Sequence, residues 1–343
     1  MVRLDVTATL ALAPCRVLND SDTEGLSHWC VANHRRCSYT AAMAYLAQPL
    51  QTHLASLNRA QVRLWLPHPS LSGCVRAMVS RNTLGVGRDW PEPWRYNYFP
   101  ASPLVGIGWF MAGHSELVDE GWPGVSDRPG KCLPRVYFGG PMTRPTVSRN
   151  SVEGHGLILM LLPDAVQLLT GLNPAEWLNR CEPLHAALGP EWAALGEAVL
   201  AAPDDDSRVQ LIEDFLLPRW QAARPQTATP GLQRFQDWAQ SLAMRAASTG
   251  VGRSLRQAER RIKGWTGLPM RELRGLGRSE QAFFRAMEDG DAPVRWTDVA
   301  ADAGYTDQSH LCRETRRITG FSPAELRCRI AQDESFWIYR IWT

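Results

Sequence analysis

The sequence predicts an α+β protein: an N-terminal, mainly-β, barrel-like domain with helices after it, then an all-α domain of two tandem helix-turn-helix units. A nine-residue phrase written twice, 53 positions apart, points to the repeated unit: Thr266-Gly267-Leu268-Pro269-Met270-Arg271-Glu272-Leu273-Arg274 and Thr319-Gly320-Phe321-Ser322-Pro323-Ala324-Glu325-Leu326-Arg327. Short β-branched and aromatic runs between Gly and Pro clusters, from residue 62 to 162, point to the β domain. Helical spacing with acidic caps, from residue 164 onward, points to the helices that follow.

Residues 1–57 have no sustained period and read as an N-terminal extension, either mobile or read through from a start codon placed too early. They hold a His28, Cys30, His34 and Cys37 cluster, but four ligands so closely spaced rarely let one loop close a tetrahedron, so no metal is expected. The sensor or dimerisation domain is expected over 58–217. Its strand-like runs are Arg63–Leu66, Val75–Ser80, Arg95–Phe99, Val105–Met111, Arg135–Phe138 and Gly156–Leu162. Among them Trp109, Phe110, Tyr137 and Phe138 are core residues that would also suit a pocket, and Arg144 and His155 are the polar residues of interest. Asp164 is expected to cap a helix over Ala165–Thr170, Pro174 to open one over Ala175–Cys181, and Asp204, Asp205 and Asp206 to cap Val209–Leu217, with Glu191–Leu200 between. Residues 218–230, with Pro218, Pro225 and Pro230 and leading into Gly231, read as a linker. The all-α domain with the two repeated units follows over 231–330. The tail over 331–343, with Phe336, Trp337, Ile338, Tyr339, Ile341 and Trp342, is too apolar for solvent and should pack on a domain.

In the second copy, Val299, Ala300 and Ala303 share one face of a helix from Trp296 to Ala303, and Gly304 ends it. Tyr305 follows as a buried aromatic. Asp307 caps a helix through Arg313 and Ile318 that Gly320 stops, and Ser322-Pro323 opens another. At the same offset Ser254 matches Asp307 and Arg260 matches Arg313. A recognition helix offers its first turns to base edges, so the candidates are Arg256, Gln257, Glu259 and Arg260 in the first copy and Gln308, Ser309, His310 and Arg313 in the second. Arg253, Arg261, Lys263, Arg316 and Arg317 suit phosphates instead.

The run "WTDVAADAGYTDQSHLCRETRRITGFSPAELR" resembles the AraC-type transcription regulators, with their Gly-aromatic-x-Asp-x-Ser-x-apolar-x-Arg core and closing Gly-x-Ser-Pro. The resemblance spans Gly231 to Arg329. It includes the weaker first unit Ser254-x-Arg256-x-Ala258-x-Arg260-x-Ile262, where Leu268-Pro269 replaces x-Ser-Pro. Thr315 stands where the family has a core Phe, while Ile262 keeps an apolar residue at the matching place in the first unit, whose preceding helix around 243–249 is rich in small and polar residues and is expected to be the looser half. The segments "YFPASPLVGIGWF" and "PRVYFGGPMTRPTVS" look like the sensor domain of one AraC subgroup. The resemblance implies a sequence-specific regulator, more often an activator, whose partners are double-stranded DNA, RNA polymerase, a small-molecule effector and a second copy of the chain.

Charge agrees with a nucleic-acid partner. From Gly231 onward there are 18 Lys and Arg against 14 Asp and Glu, a net +4, while the rest carries −2 of the overall +2. No run is long and apolar enough for a membrane span, and the start is too weak for a signal peptide, so a soluble, cytoplasmic, nucleoid-associated protein is expected. The eight cysteines form no Cys-x-x-Cys, and no nucleophile elbow, phosphate loop or His-Glu-x-x-His occurs, so neither an enzyme nor a cofactor is expected. The alternatives are a nonspecific or architectural DNA-binding protein, or an enzyme domain fused to a helix-turn-helix module.

Overall fold

The structure is a computed structural model, and it describes residues 3–6, 60–86, 90–118, 130–225, 234–248, 254–288, 290 and 292–342. Its strands in chain order are β1 (Arg3–Val6), β2 (Gln61–Trp65), β3 (Val75–Asn82), β4 (Tyr96–Phe99), β5 (Val105–Ala112), β6 (Ser115–Val118), β7 (Lys131–Cys132), β8 (Val136–Gly139), β9 (Thr146–Asn150), β10 (His155–Leu161) and β11 (Cys181–Pro183). They form two antiparallel sheets, in the orders β1-β2-β3-β10-β5-β8-β11 and β4-β9-β6-β7. Residues of both sheets enclose a cavity of 210 Å³, the barrel-like arrangement expected.

Every strand-like run in the sequence contains a strand. β6, β7, β9 and β11 carry no apolar alternation that would mark them. In β9 the inward side chain is Ser148, which accepts from Asn97 at 3.2 Å, so a polar pair replaces the hydrophobic face that periodicity detects. In β10 the pattern is plain: Leu157, Leu159 and Leu161 are fully buried beneath helices, while Gly156, Ile158 and Met160 line cavities. Gly108 of β5 leaves room for the Tyr137 ring, which an added Cβ would meet at 2.2 Å. β1 pairs with β2 from Arg3↔Trp65 to Val6↔Val62, so part of the supposed mobile extension is an edge strand. The cluster of His28, Cys30, His34 and Cys37 lies outside the described residues.

Four helices follow the sheets: α1 (Pro163–Thr170), α2 (Leu184–Ala187), α3 (Pro190–Ala201) and α4 (Asp205–Ala223). Three expectations need correction. Asp164 caps nothing: Leu162 holds the N-cap position of α1 without a side-chain bond, and the Asp164 carboxylate is buried against the C-terminal part of the chain. Pro174 opens only a 3-10 turn, Pro174–Trp177, because β11 claims Cys181 for pairing with Gly139. Pro218 does not end α4, which runs on to Ala223. The proline leaves the Asp214 carbonyl without its usual helical donor, but Leu216 and Trp220 are buried on the core side and hold the helix through that point. The early part of the supposed linker is therefore helical, while 226–230 lie outside the described residues.

The acidic cluster behaves as expected at Asp204, which accepts from Ser207 N at 2.8 Å. Asp205 turns inward instead, accepting from Ser80 Oγ at 2.6 Å and Arg208 at 2.8 Å, with His155 Nε2 3.0 Å away. Burial pushes its carboxyl up, but the bonds from His155, Ser80 and Arg208 and the His155 charge outweigh burial and hold it at about 2. Since that lies below its ordinary 3.8, the stabilisation is complete above about pH 4 and is lost as pH falls toward 2. We expect the stability difference between the wild type and Asp205→Asn to shrink by about 2 kcal/mol between pH 5 and pH 2. Urea titrations across that range check it.

The C-terminal helices are α5 (Phe235–Ser248), α6 (Leu255–Thr266), α7 (Met270–Met287), α8 (Trp296–Asp302), α9 (Gln308–Thr319), α10 (Pro323–Gln332) and α11 (Trp337–Arg340). Among the described residues no helix is long and apolar enough to cross a membrane. The apolar tail packs as expected. Phe336, Trp337, Ile338, Tyr339 and Ile341 are buried in one cluster with Leu64, Ala77 and Val79 of the larger sheet.

Candidate nucleic-acid interface

Both recognition helices form by the local chemistry their sequences carry. Ser254 starts α6 by accepting from Gln257 N at 3.3 Å, and Gly267, at φ 78°, stops it by donating to Lys263 O at 2.8 Å. Asp307 starts α9 by accepting from His310 N at 2.7 Å, and Gly320, at φ 87°, donates to Arg316 O at 2.8 Å. Each helix buries one stripe, Ile262 and Thr266 in α6 and Leu311, Thr315 and Ile318 in α9. The opposite stripe is exposed in both: Arg256, Arg260 and Lys263 on α6, and Ser309, Arg313 and Arg316 on α9, at matched positions. Arg256, Arg260, Arg313 and Arg316 take no intramolecular partner among the described residues.

The remaining candidates fare differently. Gln257 and Gln308 are exposed. Glu259 is drawn back: its Oε1 accepts from Met270 N at 3.0 Å and so caps α7. His310 is half-buried, edge-on to the Tyr305 ring at 5.2 Å, with Nδ1 3.3 Å from Thr306 Oγ1. Arg317 pairs with Glu314 at 3.0 Å within its own helix. Arg261 donates to Ala246 O at 2.9 Å, joining α6 to α5 rather than reaching outward. Arg253 lies outside the described residues. Thr315, in the place of a larger core residue, is buried and satisfies its hydroxyl on Leu311 O at 2.9 Å. It borders an apolar cavity of 260 Å³ between the two domains.

α7 makes one body of the two units. It packs so closely on α5 that a Cβ at Gly277 would sit 3.0 Å from Gln236 N. Arg285 reaches Asp302 of α8 at 3.0 Å. Both units also rest on the β domain, through contacts the sequence does not announce. Asp164 accepts from Trp238 Nε1 at 3.0 Å and pairs with Arg245 at 2.9 Å, both on α5. Gly267 lies against Pro174, whose carbonyl would be 3.1 Å from an added Cβ. Arg76 of β3 pairs with Glu280 of α7 at 2.9 Å in a site where burial raises the glutamate, and Ala101 N donates to Ile318 O at 2.7 Å. None of these partners is close in sequence, so no local signal marks them.

Residues 247–329 match a family model described as a helix-turn-helix domain. This part of the chain is a helix-turn-helix domain. No curated protein matches the chain. Among solved structures, ToxT from Vibrio cholerae is similar at 13% identity, covering 67% of this chain and 93% of that one, with a TM-score of 0.34. Unsaturated fatty acid bound ToxT from Vibrio cholerae strain SCE256 covers the same shares at 14% identity and a TM-score of 0.30. The AraC-like transcriptional activator CuxR covers 82% of this chain and 84% of its own at 14% identity, with a TM-score of 0.25. At such scores the architecture around the helix-turn-helix domain is defined by its own strands and helices.

Proposed function

We propose that the protein is a sequence-specific regulator that lays α6 and α9 into successive major-groove segments of double-stranded DNA. The matched stripes Arg256/Arg260/Lys263 and Ser309/Arg313/Arg316, on two capped helices joined by one long helix, carry this reading. Arg260 and Arg313 sit where a two-pronged guanidinium meets the O6 and N7 of guanine. Arg256, Gln257, Gln308, Ser309 and His310 flank them over the first turns, and Lys263, Arg316 and Arg317 hold phosphates, Arg317 exchanging Glu314 for the backbone. Glu259, occupied at α7, reads no base.

The β domain senses a small molecule in this reading. Its support is the 210 Å³ cavity between the sheets, lined by Arg81, Asn97, Trp109, Tyr137 and His155, where the buried Trp109 Nε1–H has no partner. Phe110 stacks on Tyr137 at 5.7 Å along the same wall, whereas Phe138 is sealed in the core against Trp177 and Arg144 is exposed outside. Homodimerisation through the helices after the sheets, activation through RNA polymerase and a cytoplasmic, nucleoid-associated location complete the proposal by family analogy.

Arg313→Ala is expected to weaken binding to a selected site by about 1–3 kcal/mol and to relax discrimination at one base pair. Selection of bound fragments from host genomic DNA, followed by titration of single-base variants, measures both. An equal loss on every sequence would move Arg313 to a phosphate, and no enrichment above random DNA by the wild type would overturn the regulator in favour of a nonspecific binder.

A further inference from the structure

Leu255 is 91% exposed, against 61% for Met244 and 46% for Leu84, the next most exposed large apolar side chains among the described residues. It is the first residue of α6, directly after the Ser254 cap, and so stands at the end of the helix that enters the groove in the reading above. Its match in the second unit, 53 positions on, is the exposed Gln308 at the first position of α9. The two helices thus present different chemistry at one structural place, an amide in α9 and a bare isobutyl group in α6. Exposure leaves Leu255 almost no packing to contribute, and its neighbours Arg256 and Arg260 bring it toward a polyanion rather than an apolar protein surface.

The major groove holds one prominent apolar feature, the C5-methyl group of thymine. We propose that Leu255 is a specificity-determining residue that packs on a thymine methyl at the edge of the first unit's segment. The proposal rests on the DNA-reading function and adds to it a base preference at a defined position. Docking closes Leu255 against the methyl and removes both from water, so thymine is favoured there over cytosine, which lacks the group.

The test uses the full-length protein and DNA carrying its selected site, with each thymine replaced in turn by deoxyuridine, which lacks only the methyl. Wild-type affinity should fall roughly fourfold at one or two thymines, the change expected for burying a single methyl group. Leu255→Ala should bind the unsubstituted site with a similar loss and be indifferent to deoxyuridine at those thymines, while retaining the wild-type unfolding midpoint. Leu255→Gln, copying the second unit, should shift selection at that position toward adenine, whose N6 and N7 suit an amide. The inference fails if deoxyuridine weakens wild type and Leu255→Ala equally at every thymine, or if both proteins select the same sequence. A wild type that selects no sequence fails the regulator proposal itself, an outcome separable from either of these.

Discussion

Phe336→Ala is expected to destabilise the protein by about 3–5 kcal/mol, the range for removing a fully buried aromatic side chain and leaving its cavity. Phe336 is 0% exposed, although it lies seven residues from the chain's last residue. Its ring stacks on Tyr98 of β4 at 4.8 Å and meets Phe321 edge-on at 5.1 Å, so it joins the smaller sheet to the loop that follows α9. The cluster around it continues into Leu64, Ala77 and Val79 of the larger sheet. Removing the ring therefore loosens the contact between the DNA-binding domain and both sheets. A lowered denaturant midpoint at unchanged slope measures the loss. Hydrogen exchange at the Ala101 amide, which bonds Ile318 O across the same junction, should quicken with it. A loss below about 1 kcal/mol would show that the tail merely lies on the sheets.

Glu334→Ala carries a comparable expected cost of about 3–5 kcal/mol for a different reason. The Glu334 carboxylate accepts from Arg81 at 3.1 Å and from Arg340, with side-chain exposures of 9% for the glutamate and 7% and 16% for the arginines. Arg81 also donates to Asn97, which accepts a second bond from Trp337 Nε1 at 2.7 Å, and its guanidinium lies 5.0 Å from the Trp337 ring. Burial lowers Arg81 to about 10, with Glu334 opposing that shift and Arg340 adding to it. Removing the glutamate leaves two cations facing each other in a low-dielectric site. The double substitution Arg81→Met with Glu334→Leu should recover much of the loss, because it removes the most deeply buried pair together and leaves only Arg340, the most exposed of the three charges. Equilibrium unfolding of the two single variants and the double variant gives the coupling directly. Additive losses would mean the pair does not act as a unit.

Much of the two helix-turn-helix units was legible because caps and stops are local. Asp307, Gly320 and Ser322 act within four residues of themselves, and each does what its side chain or its freedom at positive φ suggests. The same reasoning misread Asp164. An aspartate ahead of an apolar run looks like a cap, and only the arrival of Trp238 and Arg245 from 74 and 81 positions away turns its carboxylate inward. Pro218 was misread for a similar cause, since a proline stops an isolated helix but not one whose next turn is buried through Trp220. Glu259 looked free to read bases because its partner, the Met270 amide, lies across a turn whose geometry no periodicity encodes.

The sequence alone determined the twofold use of one helical unit, the starts and stops of both recognition helices, most of the strands and the burial of the apolar tail. Each follows from residues near one another in the chain, through hydrogen bonds to the nearest turn, backbone freedom at glycine, or apolar spacing. Only the tertiary structure decided where the tail packs, which acidic residues bind across domains, and which side chains on α6 and α9 are left to face a partner. Those outcomes depend on pairs such as Arg81 and Glu334, 253 positions apart, whose encounter is set by how the sheets and helices stack. A charged group's fate in the fold is decided by what stacking brings against it.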